Sequence, residues 1–286
     1  MSSITGLLTL LERYFDAVPR ADARAEDHGP LTLFVRDAAG YPYYARPRFG
    51  QDAVTPRDVA LVCARQRELG VPETFEYVRE TTPAMDRAAR STGLLVTEHP
   101  LLVQSLPAGR EGLEGSKDSQ GASEGSAGPV ALTVRMLAAD APDRDLAIAH
   151  AVARLGFSTP GTGGGPLGPD AVAEALEEVP IAQVGSIRHR LSSGLTATAV
   201  AELDGAPVGV GSHQPIGEVS EIVGVAVLPA ARRRGVGAAL TRTLTGDALA
   251  RGCRTVCLSA GDDDVARVYE RVGFRRVATA CVGYAG

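Results

Sequence analysis

Tryptophan is missing from this sequence, aromatic residues amount to 5% of it, and no apolar run approaches the roughly 18 residues a membrane helix needs. No membrane association is therefore expected. Basic charge is also short: 29 Lys and Arg face 34 Asp and Glu, for a net charge of -5. A nucleic-acid-binding domain carries a basic surplus, so no nucleic-acid partner is expected either. The four cysteines, Cys63, Cys253, Cys257 and Cys281, show neither Cys-x-x-Cys nor Cys/His spacing. They read as free thiols, and no metal is implied. A basic leader is lacking too. In the opening MSSITGLLTLLERYFDAVPR, Glu12 and Arg13 interrupt the apolar pattern, which reads as a domain helix of a cytoplasmic protein.

What is present is an ordinary globular balance, 44% hydrophobic and 22% charged. One tract departs from it. Residues 107–129, PAGREGLEGSKDSQGASEGSAGP, have no apolar periodicity and read as a flexible linker between domains 1–106 and 130–286. The aromatics separate the same halves, since nine of the thirteen Phe and Tyr fall between Tyr14 and Tyr77.

In the second half, residues 130–136 suggest a strand and 142–154 a helix. The glycine-rich run 156–168 is an irregular loop, and Asp170 caps a helix to Glu178. TATAVAEL and APVGVGSHQ flank Asp204-Gly205, a strong hairpin signal. A turn at 215–218 leads to VSEIVGVAVL, then a helix over 238–250 stopped near Gly252. TVCLSA is a short buried strand, Asp262–Asp264 offer caps to a helix over 265–272, Gly273 closes it, and RRVATACVG is a last strand. The class is a mixed-sheet α/β fold. The first half echoes this order weakly: Gly70 answers Gly252, and Gly93 answers Gly273.

The chemistry points to RRRGVGAAL, residues 232–240, between a buried strand and a helix. No Gly-x4-Gly-Lys-Ser/Thr string exists, and Leu240 occupies the third small position a dinucleotide fingerprint needs. The amides of Arg233, Arg234, Gly235, Val236, Gly237 and Ala238 can still converge at the helix N-terminus, where a phosphate is favoured. A solvated basic turn is the plainer reading.

Three motifs together resemble the GNAT acyltransferase family over roughly residues 130–286. They are Arg232-x-x-Gly235-x-Gly237, Glu221-Ile222-x-x-Val225-x-Val227-x-Pro229, and Val268-Tyr269-x-x-x-Gly273-Phe274. The resemblance implies acetyl-coenzyme A as co-substrate, with its pyrophosphate on the amides of 232–238. It also implies that the pantetheine arm lies along Val225, Ala226 and Val227, with the Val227 amide, or its neighbour, facing the oxyanion. Asp262 stands where family members often carry Asn, which removes an amide donor.

Tyr269 is implied as the group that assists the leaving thiolate; otherwise it is a helix tyrosine packing on Phe274. Glu221 is the candidate base. Strand alternation puts it on one face with Val223, Val225 and Val227, and its eleven-residue spacing to Arg232 fits family members with a glutamate base. Otherwise it is a solvated strand-end carboxylate. His213 reads as structural. YPYYARPRFG, residues 41–50, reads as core before acceptor pocket. The first half lacks the Arg-x-x-Gly-x-Gly turn and has Ala89 where Tyr269 stands, so it resembles a degenerate partner that binds no coenzyme A. The expectation is an acetyltransferase acting on a primary amine of a small molecule or peptide, as a monomer or homodimer. A coenzyme A sensor, an interaction module and a transferase of longer acyl groups are the alternatives.

Overall fold

The computed structural model describes residues 4–36, 44–51, 53–105 and 131–286. The tract read as a linker, 107–129, lies outside them, as do Tyr41 and Tyr43.

The first half runs α1 (Ile4–Arg20), β1 (Arg24–His28), β2 (Leu31–Val35), β3 (Ala45–Pro47), α2 (Pro56–Leu69), β4 (Thr74–Val78), α3 (Pro83–Ser91) and β5 (Leu95–Ser105). The second runs β6 (Leu132–Met136), α4 (Asp143–Phe157), α5 (Pro169–Leu176), α6 (Ile181–Ser192), β7 (Ala197–Leu203), β8 (Ala206–Ile216) and β9 (Val219–Val227). It closes with α7 (Val236–Ala250), β10 (Thr255–Ser259), α8 (Asp263–Glu270) and β11 (Arg275–Tyr284).

Local chemistry accounts for most boundaries. Thr55 and Asp58 form a reciprocal capping box ahead of α2, and Asp262 accepts the Val265 amide ahead of α8. Asp204 (φ 50°) and Gly205 (φ 80°) both take the left-handed conformation that a tight hairpin turn requires. Asp170 does not cap its helix. Pro169 starts α5 with Gly168 in the cap position, and Asp170 lies in the first turn, where its charge still suits the helix dipole. Helix α6 gave no clear signal, because it buries no residue fully and only Val184, Ile187 and Leu191 lean on the core.

The order α2-β4-α3-β5 recurs as α7-β10-α8-β11. The paired glycines are conformational equivalents: Gly70, Gly252, Gly93 and Gly273 have φ of 66°, 91°, 87° and 101°. The halves nevertheless share one sheet of eleven strands, in the order β1-β2-β3-β4-β11-β5-β10-β9-β8-β7-β6. Each half has sent its last strand to the other. β11 pairs with β4, and β5 pairs with β10.

Two helical layers cover the sheet. α2, α3, α7 and α8 pack on one face through Val59, Met85, Leu240, Leu244 and Ala266. α1, α4 and α5 cover the other through Leu11, Leu146, Val152 and Val172. β9 and β10 are parallel but pair only from Val219↔Thr255 to Glu221↔Cys257. Beyond Glu221 the strands part, leaving one edge of β9 unpaired.

Candidate active site

The glycine-arginine turn contains two left-handed residues, Arg233 (φ 59°) and Gly235 (φ 82°). Curled this way, and followed by the fifteen-residue helix α7, the amides of Arg233 to Ala238 find no partner among the described residues. Consecutive free N–H groups at a helix N-terminus form an anion-binding concavity. A Cβ at Gly235 would meet nothing within 4 Å, so the space before the turn is open.

Arg232 corrects the expectation placed on it. Its amide closes a short turn onto the Pro229 carbonyl at 3.4 Å. Its guanidinium donates to four carbonyls: Val227 at 3.1 Å, Gly163 at 3.0 Å, Gly156 at 2.8 Å and Thr159 at 2.6 Å. Arg232 thus fastens the glycine loop to the end of β9, spending four of its five N–H donors there. Arg234 is exposed and outside the cavity lining.

Strand β9 is not regular. Gly224 has φ 63°, and the register with β8 slips between Val210↔Ala226 and Ser212↔Val223. That bulge inserts one residue and reverses the alternation. Ile222 packs with Leu240 and Leu244 under α7, whereas Ala226, four residues on, packs with Leu146 and Val152 of α4. Val225 and Val227 turn to the α7 layer. Glu221 and Val223 therefore occupy the opposite face from Val225 and Val227, and simple alternation failed here.

The Leu228 amide bonds to Val208 at 2.8 Å, so the antiparallel ladder turns the Val227 amide and carbonyl away from β8, toward the cleft. A cavity of about 1540 Å³ runs through this opening. It joins the turn, Val225–Val227 and Tyr269 on one side to Glu221 on the other.

Residues of the first half surround Glu221. The Tyr14 hydroxyl of α1 donates to the Gln214 carbonyl at 2.7 Å and accepts the Glu221 amide at 3.0 Å. Arg46 on β3 is 2% exposed and ion-paired to Glu12. Glu76 on β4 takes a hydrogen bond from Tyr44. Burial, reinforced by the nearby Glu76 charge and opposed by Arg46, pushes the Glu221 carboxyl up to about 8. Burial likewise raises Glu76 to about 7, against the pull of Arg46 and Tyr44. Arg46 belongs to the stretch 41–50 already weighed as pocket, whereas Tyr14 and Glu76 escaped the sequence reading. The only trace was Glu76 as a lone charge between Phe75 and Tyr77.

Tyr269 is 8% exposed and meets Phe274 edge-on at 6.2 Å, so the packing reading holds, yet it also lines the cavity. Its hydroxyl has no partner among the described residues, and burial lifts it to about 12. Asp262 spends its carboxylate on the cap of α8. His213 is fully buried between Ser220 and Asp247, both at 2.8 Å, as a structural residue would be. Tyr44 lines the cavity as well as packing on Phe34, and Arg46 lines it too, so the described part of the aromatic stretch serves core and pocket together. Among the described residues no three His, Cys, Asp or Glu are grouped to hold a metal, and no helix is long and apolar enough to cross a membrane.

Residues 171–274, from α5 to the start of the last strand, match the Acetyltransferase (GNAT) family. These residues form a GNAT domain. Among curated proteins none matches the sequence significantly. Among solved structures, a GCN5-related N-acetyltransferase from Kribbella flavida superposes over 97% of this chain and 95% of its own, with TM-score 0.65 and 20% identity. A tandem GNAT protein from the clavulanic acid biosynthesis pathway covers 89% and 78%, with TM-score 0.53 and 15% identity. A GCN5-related N-acetyltransferase from Sphaerobacter thermophilus covers 91% and 82%, with TM-score 0.53 and 18% identity. At such identities the likeness is one of fold. The α2-to-β5 segment gives the GNAT domain a second, GNAT-like half, and the family supports acyl transfer as the general chemistry.

Proposed function

We propose that the protein is an N-acetyltransferase that passes the acetyl group of acetyl-coenzyme A to a primary amine by direct attack in a ternary complex. One observation carries this reading. The same cavity holds an anion-binding turn and, across the splayed strand, a carboxyl whose raised pKa suits a base near neutrality. In this reading residues 1–106 shape the acceptor side, 130–286 hold the coenzyme, and 107–129 join them.

The free amides of 233–238 fit a diphosphate, and the edge at Val225–Val227, which no strand covers and where Arg232 takes only the Val227 carbonyl, fits an extended amide-bearing arm. Acetyl-coenzyme A, when bound, supplies the acetyl thioester. Glu221 takes a proton from the incoming ammonium and frees its lone pair. The Val227 amide faces the position where negative charge develops on oxygen. Tyr269 acts by hydrogen bonding to the departing sulfur. With its hydroxyl near 12 and a thiol near 8.5, full proton transfer would be uphill by about 5 kcal/mol. The sulfur leaves as thiolate; the nitrogen releases its second proton to solvent as the amide forms, and the thiolate is protonated from solvent.

Calorimetry with acetyl-coenzyme A tests the first half of this reading. The wild type is expected to bind at micromolar concentrations or tighter, and Gly235→Asp, which sets a negative side chain before the turn, to lose binding. A screen of primary amines for released thiol tests the second. Binding without turnover on any amine would reduce the protein to an acyl-coenzyme A-binding module, and no binding would end the reading.

A further inference from the structure

Strand alternation buries Phe75 and Tyr77 under α2 and α3 and turns Glu76 the other way, into the cavity beside Glu221. Neither glutamate forms an ion pair among the described residues. The cations around them are already engaged: Arg46 with Glu12, and Arg36 and Arg190 with Asp22. Because two arginines share Asp22, this end of the cavity carries one net negative charge when both glutamates are ionised. Two carboxylates sharing a partly desolvated site are costly when the nearby Arg46 is already paired to Glu12, and a ligand cation between them lowers that cost.

We infer that Glu76, contributed by the half without a coenzyme A turn, is the second carboxylate of the acceptor site, and that the acceptor is a primary amine entering as its ammonium cation. Arg46 keeps its Nε–H without a partner among the described residues, but its charge is already paired to Glu12. An ammonium lodged between Glu76 and Glu221 gives one proton to Glu221, and Glu76 keeps hold of a remaining N–H. Around Glu221 stand Glu76 from β4, Arg46 from β3, Tyr14 from α1 and Cys257 from β10, and Tyr44 holds Glu76. Of these, only Glu76 is an ionised neighbour of like sign, so it also sets how readily Glu221 accepts a proton.

This inference rests on the acetyl-transfer reading, and its test does not depend on turnover. In the full-length protein carrying 13C-carboxyl glutamate, methylammonium chloride is expected to shift the Glu76 and Glu221 signals saturably. Glu76→Gln should abolish the Glu221 response, and no response in the wild type would overturn the proposal. Without ligand, Glu76→Gln should lower the Glu221 midpoint by roughly one unit or more, and an unchanged midpoint would also overturn it.

Once a screened amine is acetylated, Glu76→Gln should raise its KM by about tenfold or more and leave the Kd for acetyl-coenzyme A unchanged. Glu76→Asp should recover part of that loss. If every amine fails, the transfer reading falls while the methylammonium titration still judges Glu76. A fall in kcat alone, with amine KM and pH profile unchanged, would assign Glu76 to structure and reject the proposal.

Discussion

The hydroxyl of Tyr14, on the first helix, accepts the backbone amide of Glu221 at 3.0 Å across 207 residues of sequence. The same oxygen donates to the Gln214 carbonyl, the cross-strand partner of Glu221. A tyrosine from one half is thus wedged into the β8–β9 ladder of the other at the residue proposed as base. Tyr14→Phe would leave both backbone groups without that partner. It should cost about 1–3 kcal/mol, read as a lower urea midpoint with unchanged m-value. Acetyl-coenzyme A affinity should hold, because the turn lies beyond the bulge.

Glu221→Gln removes the proton acceptor and is expected to lower kcat/KM by about 10²–10⁴-fold with little effect on acetyl-coenzyme A binding. In the wild type the base works only when ionised, so kcat/KM should rise through a limb near pH 8. Stability should run the opposite way. The folded-state pKa lies above the unfolded value of 4.5, so the native state keeps a proton that the unfolded chain releases, and stability is lost as pH climbs from 4.5 to about 8. Urea midpoints at pH 5.5 and 8 check the sign: the wild type should fall more than Glu221→Gln.

Much of this fold was legible where local chemistry decides it. Asp204-Gly205 marked the hairpin, Asp262 the cap of α8, and the four spaced glycines the repeat. The site was legible as motif but not as geometry. A left-handed Gly224 inside a valine-rich strand gave no warning of the bulge that moves Glu221 off the face of Val225, because period-two reading assumes a regular pleat. Arg232 reads as a phosphate ligand until its four carbonyl partners are seen. The exchange of β5 and β11 was invisible because either strand could have paired at home with the same alternation. Tyr14 and Glu76 belong to the site only through that exchange, which no window of sequence contains.

Arg232 makes a sharper test of the turn than its neighbours do. Lysine offers one point charge where the guanidinium fork reaches four carbonyls. Arg232→Lys should loosen the loop at 156–163, weaken acetyl-coenzyme A binding indirectly and lower stability by about 1–3 kcal/mol. Hydrogen exchange of the loop amides would report the loosening. Arg234→Lys, at an exposed position outside the cavity, should change stability by no more than about 0.5 kcal/mol. Equal effects at the two positions would contradict the assignment of Arg232 as a clamp.

The exchanged strands make a prediction about the whole molecule. Cutting the chain between residues 117 and 118 strands β11 with the second half and β5 with the first, yet each lies in the sheet beside the other half's strand. Alone, each fragment would expose an unpaired central edge, a template for aggregation. Expressed separately, residues 1–117 and 118–286 should be insoluble or unfolded; expressed together, they should co-purify as a one-to-one complex. In the intact chain the two halves should unfold in one transition, with tyrosine fluorescence, weighted toward the first half, coinciding with far-ultraviolet dichroism from both. Two separated transitions, or a soluble and folded second fragment, would mean that the halves keep their own last strands in solution.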